Sequence, residues 1–272
     1  MQQTKTSAFF SYGVVALLVL LYVLPLLILF NVSFKSLDEF VASPLSLTTS
    51  FHFSNYVSAW KEGKFSTLIG NSLLYTGVST VFTVGLSLVA AFPVARKYVA
   101  WSGFLYMFFL ASQFLPNPLV AQFKLMLTLN LYNTQLGYIL LRTSGAGLIF
   151  MMFVGFIKSI NRELDEAAGI DGCGYIRYMF QITLPLMKPI VATGVILTAI
   201  GTWNDLIVPT MYISDQTKWP ITAGLINFQG QYGNNWPLLA CGTMIVAGPL
   251  ILLYVFIQRY IVDGAMAGAV KS

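Results

Sequence analysis

The residue types that most often do chemistry are sparse in this sequence, and they do not gather. His52 is the sole histidine, and the two cysteines, Cys173 and Cys241, lie in a polar loop and an apolar run. Neither a metal cluster nor a disulfide framework follows from such numbers. A phosphate-binding loop needs an upstream glycine and a Gly-Lys-Ser/Thr ending. Gly63-Lys64 has neither the upstream glycine nor the following hydroxyl. With no nucleophile, base and orienter set, no catalytic residue is assigned and the chain is expected not to be an enzyme. What stands out instead is charge in unusual places. Asp205 lies inside a long apolar run beside Trp203 and Asn204, and Arg142 lies inside another. The densest charge falls in residues 163–188, reading ELDEAAGIDGCGYIRYMFQITLPLMK.

The elements that hold these residues follow from composition. Hydrophobic residues make up 57% of the 272 and charged residues only 9%, too little charge to cover a water-exposed surface. The lipid bilayer is the expected solvent, so the net charge of +5 is read as Lys and Arg retained on one side of a membrane, not as a nucleic-acid footprint. About 20 apolar residues in a helix span the hydrocarbon. About six runs of that size occur, at 8–30, 71–95, 102–123, 135–157, 190–212 and 238–257. The run at 8–30 is longer than the core of a cleaved signal peptide and is expected to be a retained first span. Only helices pair every backbone group within one segment in lipid, and these runs do not alternate as barrel strands do. The expected fold is all-α and polytopic, with both termini cytoplasmic. That sidedness rests on Arg96, Lys97, Lys158, Arg162, Arg177, Lys188, Arg259 and Lys271. No internal repeat or linker divides the chain, so residues 1–272 are expected to form a single domain.

Placed in that frame, Asp205 is a carboxylate at membrane depth, where such a group faces a cavity or a partner. Trp203, Asn204 and Asp205 are therefore candidates to line a path through the protein. The alternative puts Asp205 near the outer interface and Trp203 in an aromatic belt. Arg142 either meets the same path or snorkels to the interface. Pro116 and Pro118 mark a kink in the third run.

In residues 163–188, Ser159 or Asn161 can cap a helix whose first turns carry Glu163, Asp165 and Glu166, favoured there by the helix dipole. Leu164, Ala167, Ala168 and Asp171 share one face, and the alanines leave it nearly flat for close approach. Gly169, Gly172 and Gly174 then permit a sharp reversal, and a second short helix from Tyr175 leads through Leu184 and Pro185 into the membrane.

The order Glu166-Ala167-Ala168, three residues, Gly172, nine residues, then Ile182-Thr183-Leu184-Pro185 resembles the Glu-Ala-Ala loop of the membrane subunits of ATP-binding-cassette importers. Two departures occur: Asn161 and Leu148 stand where the family often has Pro. Gly201-Thr202-Trp203-Asn204-Asp205, Phe228-Gln229-Gly230-Gln231-Tyr232 and the ending from Gln258 to Lys271 resemble the carbohydrate-importer branch, similar to the smaller permease of the maltose system. That resemblance implies a permease core over 68–260, a coupling loop over 158–188 and an extra N-terminal span over 8–30. It implies that Glu163, Glu166, Ala167, Ala168, Gly169, Asp171 and Gly172 meet a separate ATPase. The expected partners are a homologous second permease, two ATPase subunits, an extracellular sugar-binding protein, membrane lipid and the sugar itself, with no nucleic acid. No cofactor is expected in this chain, ATP and Mg being held by the ATPases. Trp219, Tyr232 and Trp236 in the outer segment 214–237 are expected to reach toward the binding protein. Competing readings are an importer for another solute, or a stand-alone secondary transporter; the latter expects paired intramembrane charges or inverted repeats, and the sequence displays neither.

Overall fold

The computed structural model describes the backbone of residues 5–116 and 118–269, and side chains from 11 to 255 apart from 117 and 253. Val270 and Lys271 of the C-terminal signature, and the side chains of Gln258 to Gly264, lie outside the described residues. Every regular element among the described residues is helical, as the composition requires. The chain forms two compact units, one from residues up to Ser66 with Gly224–Pro249, the other from Thr67–Ala223 with the residues from Leu250 onward.

The first unit contains α1 (Lys5–Ser33), α2 (Leu37–Ala42) and α3 (Ser54–Glu62), with parts of α13 (Ile221–Tyr232) and α14 (Trp236–Ala269). The stretch Ser11–Ser33 is apolar and exposed from Ser11 to Leu27, a surface that water would not tolerate and lipid does. The loop after it is knotted around Lys35, which is fully buried. Its Nζ donates to the Ser43 carbonyl at 2.6 Å and to Ser46 Oγ at 3.0 Å. A buried ammonium is tolerable only when its protons are satisfied in this way.

The second unit is built on α4 (Phe65–Arg96), an unbroken 32-residue helix. Its buried side carries Ser72, Thr76, Ser79, Thr80, Thr83 and Ser87, small hydroxyl residues of the kind that let helices in a membrane approach closely. Toward its C-terminal end, Ala91, Phe92 and Ala95 join Phe150, Phe153, Ile157 and Met187 in the main apolar core.

The sixth run lies within the continuous helix α14, but the third, fourth and fifth do not form uninterrupted spans. The third stops as α5 (Ser102–Ser112) and resumes as α6 (Leu119–Thr128). Each is too short to cross a bilayer alone, and the break falls at the Pro116/Pro118 pair, whose rings remove backbone donors. The fourth is α7 (Gln135–Ser144) and α8 (Gly147–Ser159), bent by 41° at Gly145 and Ala146. The fifth is α11 (Lys188–Trp203) and α12 (Ile207–Tyr212), interrupted at Asn204 and Asp205. Between α8 and α11 lie α9 (Glu163–Ile170) and α10 (Tyr175–Leu186), the latter π-helical over Met179–Thr183. α10 meets α11 at 80°, a corner at Met187 set between Pro185 and Pro189. Of the about six expected spans, the first, second and last each lie in one continuous helix, α1, α4 and α14, while the third, fourth and fifth are each broken into two helices.

Candidate functional site

The acidic helix α9 does form. It has no side-chain cap at Arg162; instead Asn161 Oδ1 accepts from the Glu163 N–H at 3.2 Å, one of the two caps the sequence offered. The helix ends where the N–H of Gly172 bonds to the Gly169 carbonyl at 3.1 Å and that of Cys173 to the Ala168 carbonyl at 2.8 Å. Gly172 has φ +70, a conformation glycine adopts without strain. The reversal then delivers Tyr175 at the start of α10.

This helix pair is anchored to the end of α4. Arg96 Nη2 lies 2.9 Å from Asp165 Oδ1, with the two side chains 3% and 17% exposed. The approach is an ion pair more than an aligned hydrogen bond, since Nη2 has no hydrogen-bond acceptor, while Nη1 donates to the Ile160 carbonyl at 3.1 Å. Tyr178 Oη donates to the same carboxylate oxygen. Around this polar knot, Phe92 meets Tyr175 edge-on at 5.0 Å and Tyr178 at 5.7 Å, and Tyr98 meets Tyr175 at 5.6 Å. A cavity of about 320 Å³ opens beside it, walled by Tyr98, Asp165, Cys173 and Tyr175.

The anchoring corrects the expected flat docking face. Ala168 is buried against this chain's own core, and Asp165 turns toward Arg96. The opposite side of α9 presents Glu163, Glu166, Ala167 and Ile170, all exposed, with Gly169, Asp171 and Gly172 exposed around the turn. Ile170 is 88% exposed, an apolar side chain offered outward at the tip of the helix. Sequence reasoning passed over it because it lies off the alanine face; its signal was an isolated apolar residue directly before the Asp171-Gly172 turn.

The second polar cluster joins the two interrupted spans. Arg142 Nη1 lies 3.3 Å from Asp205 Oδ2 and its Nε 3.4 Å from Thr202 Oγ1. Tyr138 Oη donates to Asp205 Oδ2 at 3.1 Å, and Asp205 Oδ1 accepts from the Val208 N–H at 3.3 Å, capping α12. Arg142 therefore does not snorkel, and a paired intramembrane charge exists that the sequence did not display. Trp203 is 5% exposed, and its indole N–H has no partner among the described residues. It is a core residue here and presents no face to a path, whereas Asn204 is exposed.

The segment following α12 is tied to neighbouring elements of the same unit. Asn71 Nδ2 donates to the carbonyls of Thr217 and Trp219 at 2.8 and 3.0 Å, and Tyr75 Oη to that of Lys218 at 2.6 Å. Thr217 donates to the Asp215 carboxylate from its hydroxyl and its backbone, which holds that group below the usual carboxylate range. Trp219 turns inward, its Nε1 donating to the Ile213 carbonyl at 2.7 Å. In the other unit Tyr232 packs on Phe228 at 4.8 Å, and Trp236 is exposed, stacked on Phe40 at 6.2 Å.

With this geometry in view, residues 83–265 match the family described as binding-protein-dependent transport system inner membrane component. The chain belongs to that family. It is therefore a membrane protein and a component of a transport system. This permease is 34% identical to the probable ABC transporter permease protein YurM of Bacillus subtilis, over 91% of its own length and 83% of the relative's. It is 28% identical to the melibiose/raffinose/stachyose import permease protein MelC of the same species, over 92% and 91% of the two chains. Its fold is that of a chain in the crystal structure of a bacterial ABC transporter involved in the import of the acidic polysaccharide alginate. The TM-score is 0.84 over 96% of this chain and 99% of that one, at 20% identity. Membership in this family decides against a transporter working alone.

Proposed function

We propose that this permease pairs with a homologous second permease and is driven by two ATPase subunits, one of which docks on α9 and the turn that follows it. The observation that carries this is a helix pair fixed to the membrane core on one side, through Arg96, Asp165 and Tyr178, and open on the other. The open side presents Glu163, Glu166, Ala167 and Ile170. Fixed and open sides on one short helix suit a joint that receives force and passes it on. ATP and Mg are held by the ATPases, and this chain performs conformational work without catalysis. The helix pair faces the cytoplasm, with both termini on that side and the segment at 214–237 outside. There Trp219, Tyr232 and Trp236 belong to the segment that meets an extracellular solute-binding protein, a reading supported for Trp236 by its exposure. The solute is a sugar or oligosaccharide, a reading supported by relatives named for oligosaccharide import that match more than nine-tenths of this chain.

The test is purification of the tagged chain from its native host in mild detergent. An ATPase subunit and a second permease should accompany it, and recovery of the chain without an ATPase would overturn the proposal. Glu166→Lys should then release the ATPase while leaving membrane insertion intact.

A further inference from the structure

Within the second unit, polar groups with spare hydrogen-bonding capacity meet close to the breaks in two spans. Arg142 stands in the last turn of α7, just before the break at Gly145 and Ala146, and its guanidinium reaches Asp205, which lies in the break between α11 and α12. The guanidinium is held from one side only, by Asp205 and Thr202. Its Nη2 makes no hydrogen bond among the described residues and lies over Gly201, where a Cβ would stand 3.4 Å away. The Arg142 side chain is 25% exposed and that of Asp205 8%. Asn204, next to Asp205 in the chain, is exposed, and its side-chain amide has no partner among the described residues. The backbone of residues 204–206 lies outside any helix.

Such a surface cannot face hydrocarbon. Unwound backbone and spare donors at this depth occur where protein or a water-filled cavity meets them. Discontinuous helices near the membrane interior are also where transported solutes bind in other transporter folds. The spare groups are two N–H bonds on Nη2, two on the amide nitrogen and an amide oxygen. That set matches neighbouring sugar hydroxyls, each of which donates and accepts. Asp205 offsets the charge of Arg142, so the site has little net field with which to attract a carboxylated sugar. We propose that Arg142 and Asn204 form a saccharide contact in the translocation path. Asp205 is then a positioning residue that aims the guanidinium and cancels its charge, so that uncharged saccharides are taken in preference to acidic ones. This rests on the importer reading above.

The experiment uses the complete transporter in proteoliposomes with its binding protein. A wild-type complex that takes up no sugar and shows no binding-protein-stimulated ATPase activity would sink the importer reading, separately from this proposal. In a competent complex, Asn204→Cys, with Cys173→Ser and Cys241→Ala, is exposed to a membrane-impermeant methanethiosulfonate from outside. Reaction in at least one nucleotide state is expected, together with loss of uptake. A thiol inert in every state overturns the proposal. Asn204→Ala, which loses no internal bond, should raise the KM for uptake about fivefold, the loss of roughly one hydrogen bond. An unchanged KM also overturns it. Because Arg142→Gln strands Asp205 and can impair folding, it is paired with Arg142→Gln/Asp205→Asn, which removes both charges. The double variant should assemble and keep the raised KM, and wild-type KM in it would show that Arg142 is no contact. Finally, Asp205→Asn should shift competition between raffinose and a trimeric uronate toward the uronate by about fivefold or more, the scale of one uncompensated charge. An unchanged ratio removes the role given to Asp205.

Discussion

Removing the carboxylate of Asp165 tests how the acidic helix pair is held. Arg96 is 3% exposed, so Asp165→Ala leaves a guanidinium buried with the Ile160 carbonyl as its remaining bonded partner, and it also takes the acceptor from Tyr178. Breaking a fully buried pair from one side costs about 3–5 kcal/mol. Here Asp165 is 17% exposed and the approach is not an aligned hydrogen bond, so the cost falls below that range, to about 2–3 kcal/mol. At about 1.4 kcal/mol per tenfold, the undocked population of α9 should rise roughly 30- to 150-fold. Amide hydrogen exchange over residues 163–170, in lipid nanodiscs, reads that population directly. Protection there should fall by that factor while α4 stays protected. Asp165→Asn, which can still accept from Tyr178, should lose about half as much free energy, roughly 1–1.5 kcal/mol. Arg96→Met/Asp165→Leu should recover much of the protection, because no buried charge is then left alone. Exchange unchanged in Asp165→Ala, or a double variant no better protected than the single one, would refute the anchoring role.

Further outcomes are expected on the same grounds. Ile170→Asp alters a side chain 88% exposed, so Tm should stay within about 1 °C, while binding-protein-stimulated ATPase activity and uptake fall about tenfold or more, as for loss of an apolar anchor in an interface. Gly172→Ala meets no atom within 4 Å but must adopt φ +70, so it should cost about 1–2 kcal/mol, seen as increased exchange at the turn, with Gly172→Asn milder. Gly137→Ala would bring a Cβ to 2.1 Å from the Leu131 carbonyl oxygen, a backbone atom that cannot step aside. It should lower the Tm of the purified protein by several degrees, about 2 kcal/mol or more, and wild-type stability would show that the 131–137 turn yields.

The membrane class and the acidic loop were legible because both are written in local composition: long uncharged runs, and acids followed by spaced glycines. What hydropathy could not show is where a run is cut. Residues 102–123 and 190–212 read as continuous, yet backbone donors are lost at Pro116 and Pro118, and Asp205 spends its carboxylate capping α12. Helical periodicity grouped Ala167 with Ala168 but could not say which side the protein's own core would claim. Arg96, more than sixty residues earlier, decides that by drawing Asp165 and hence Ala168 inward. The same distance hid the partner of Arg142, which lies 60 residues from Thr202 and bonds it only once the two spans are side by side. Trp203 looked like a path residue because its neighbours are polar, and its burial belongs to the packing of the whole unit.

The corner at Met187 sets the gearing of the molecule. Because α10 and α11 meet at 80°, a push delivered along the shorter helix arrives nearly at right angles to the longer one. α11 has 16 residues and so an arm of about 24 Å. A tilt of roughly 5° about the corner would carry its far end sideways by about 2 Å, given that arm. That would be enough to draw Asp205 away from Arg142, so a small tilt at the corner would be felt at the place where the two broken spans are stitched together.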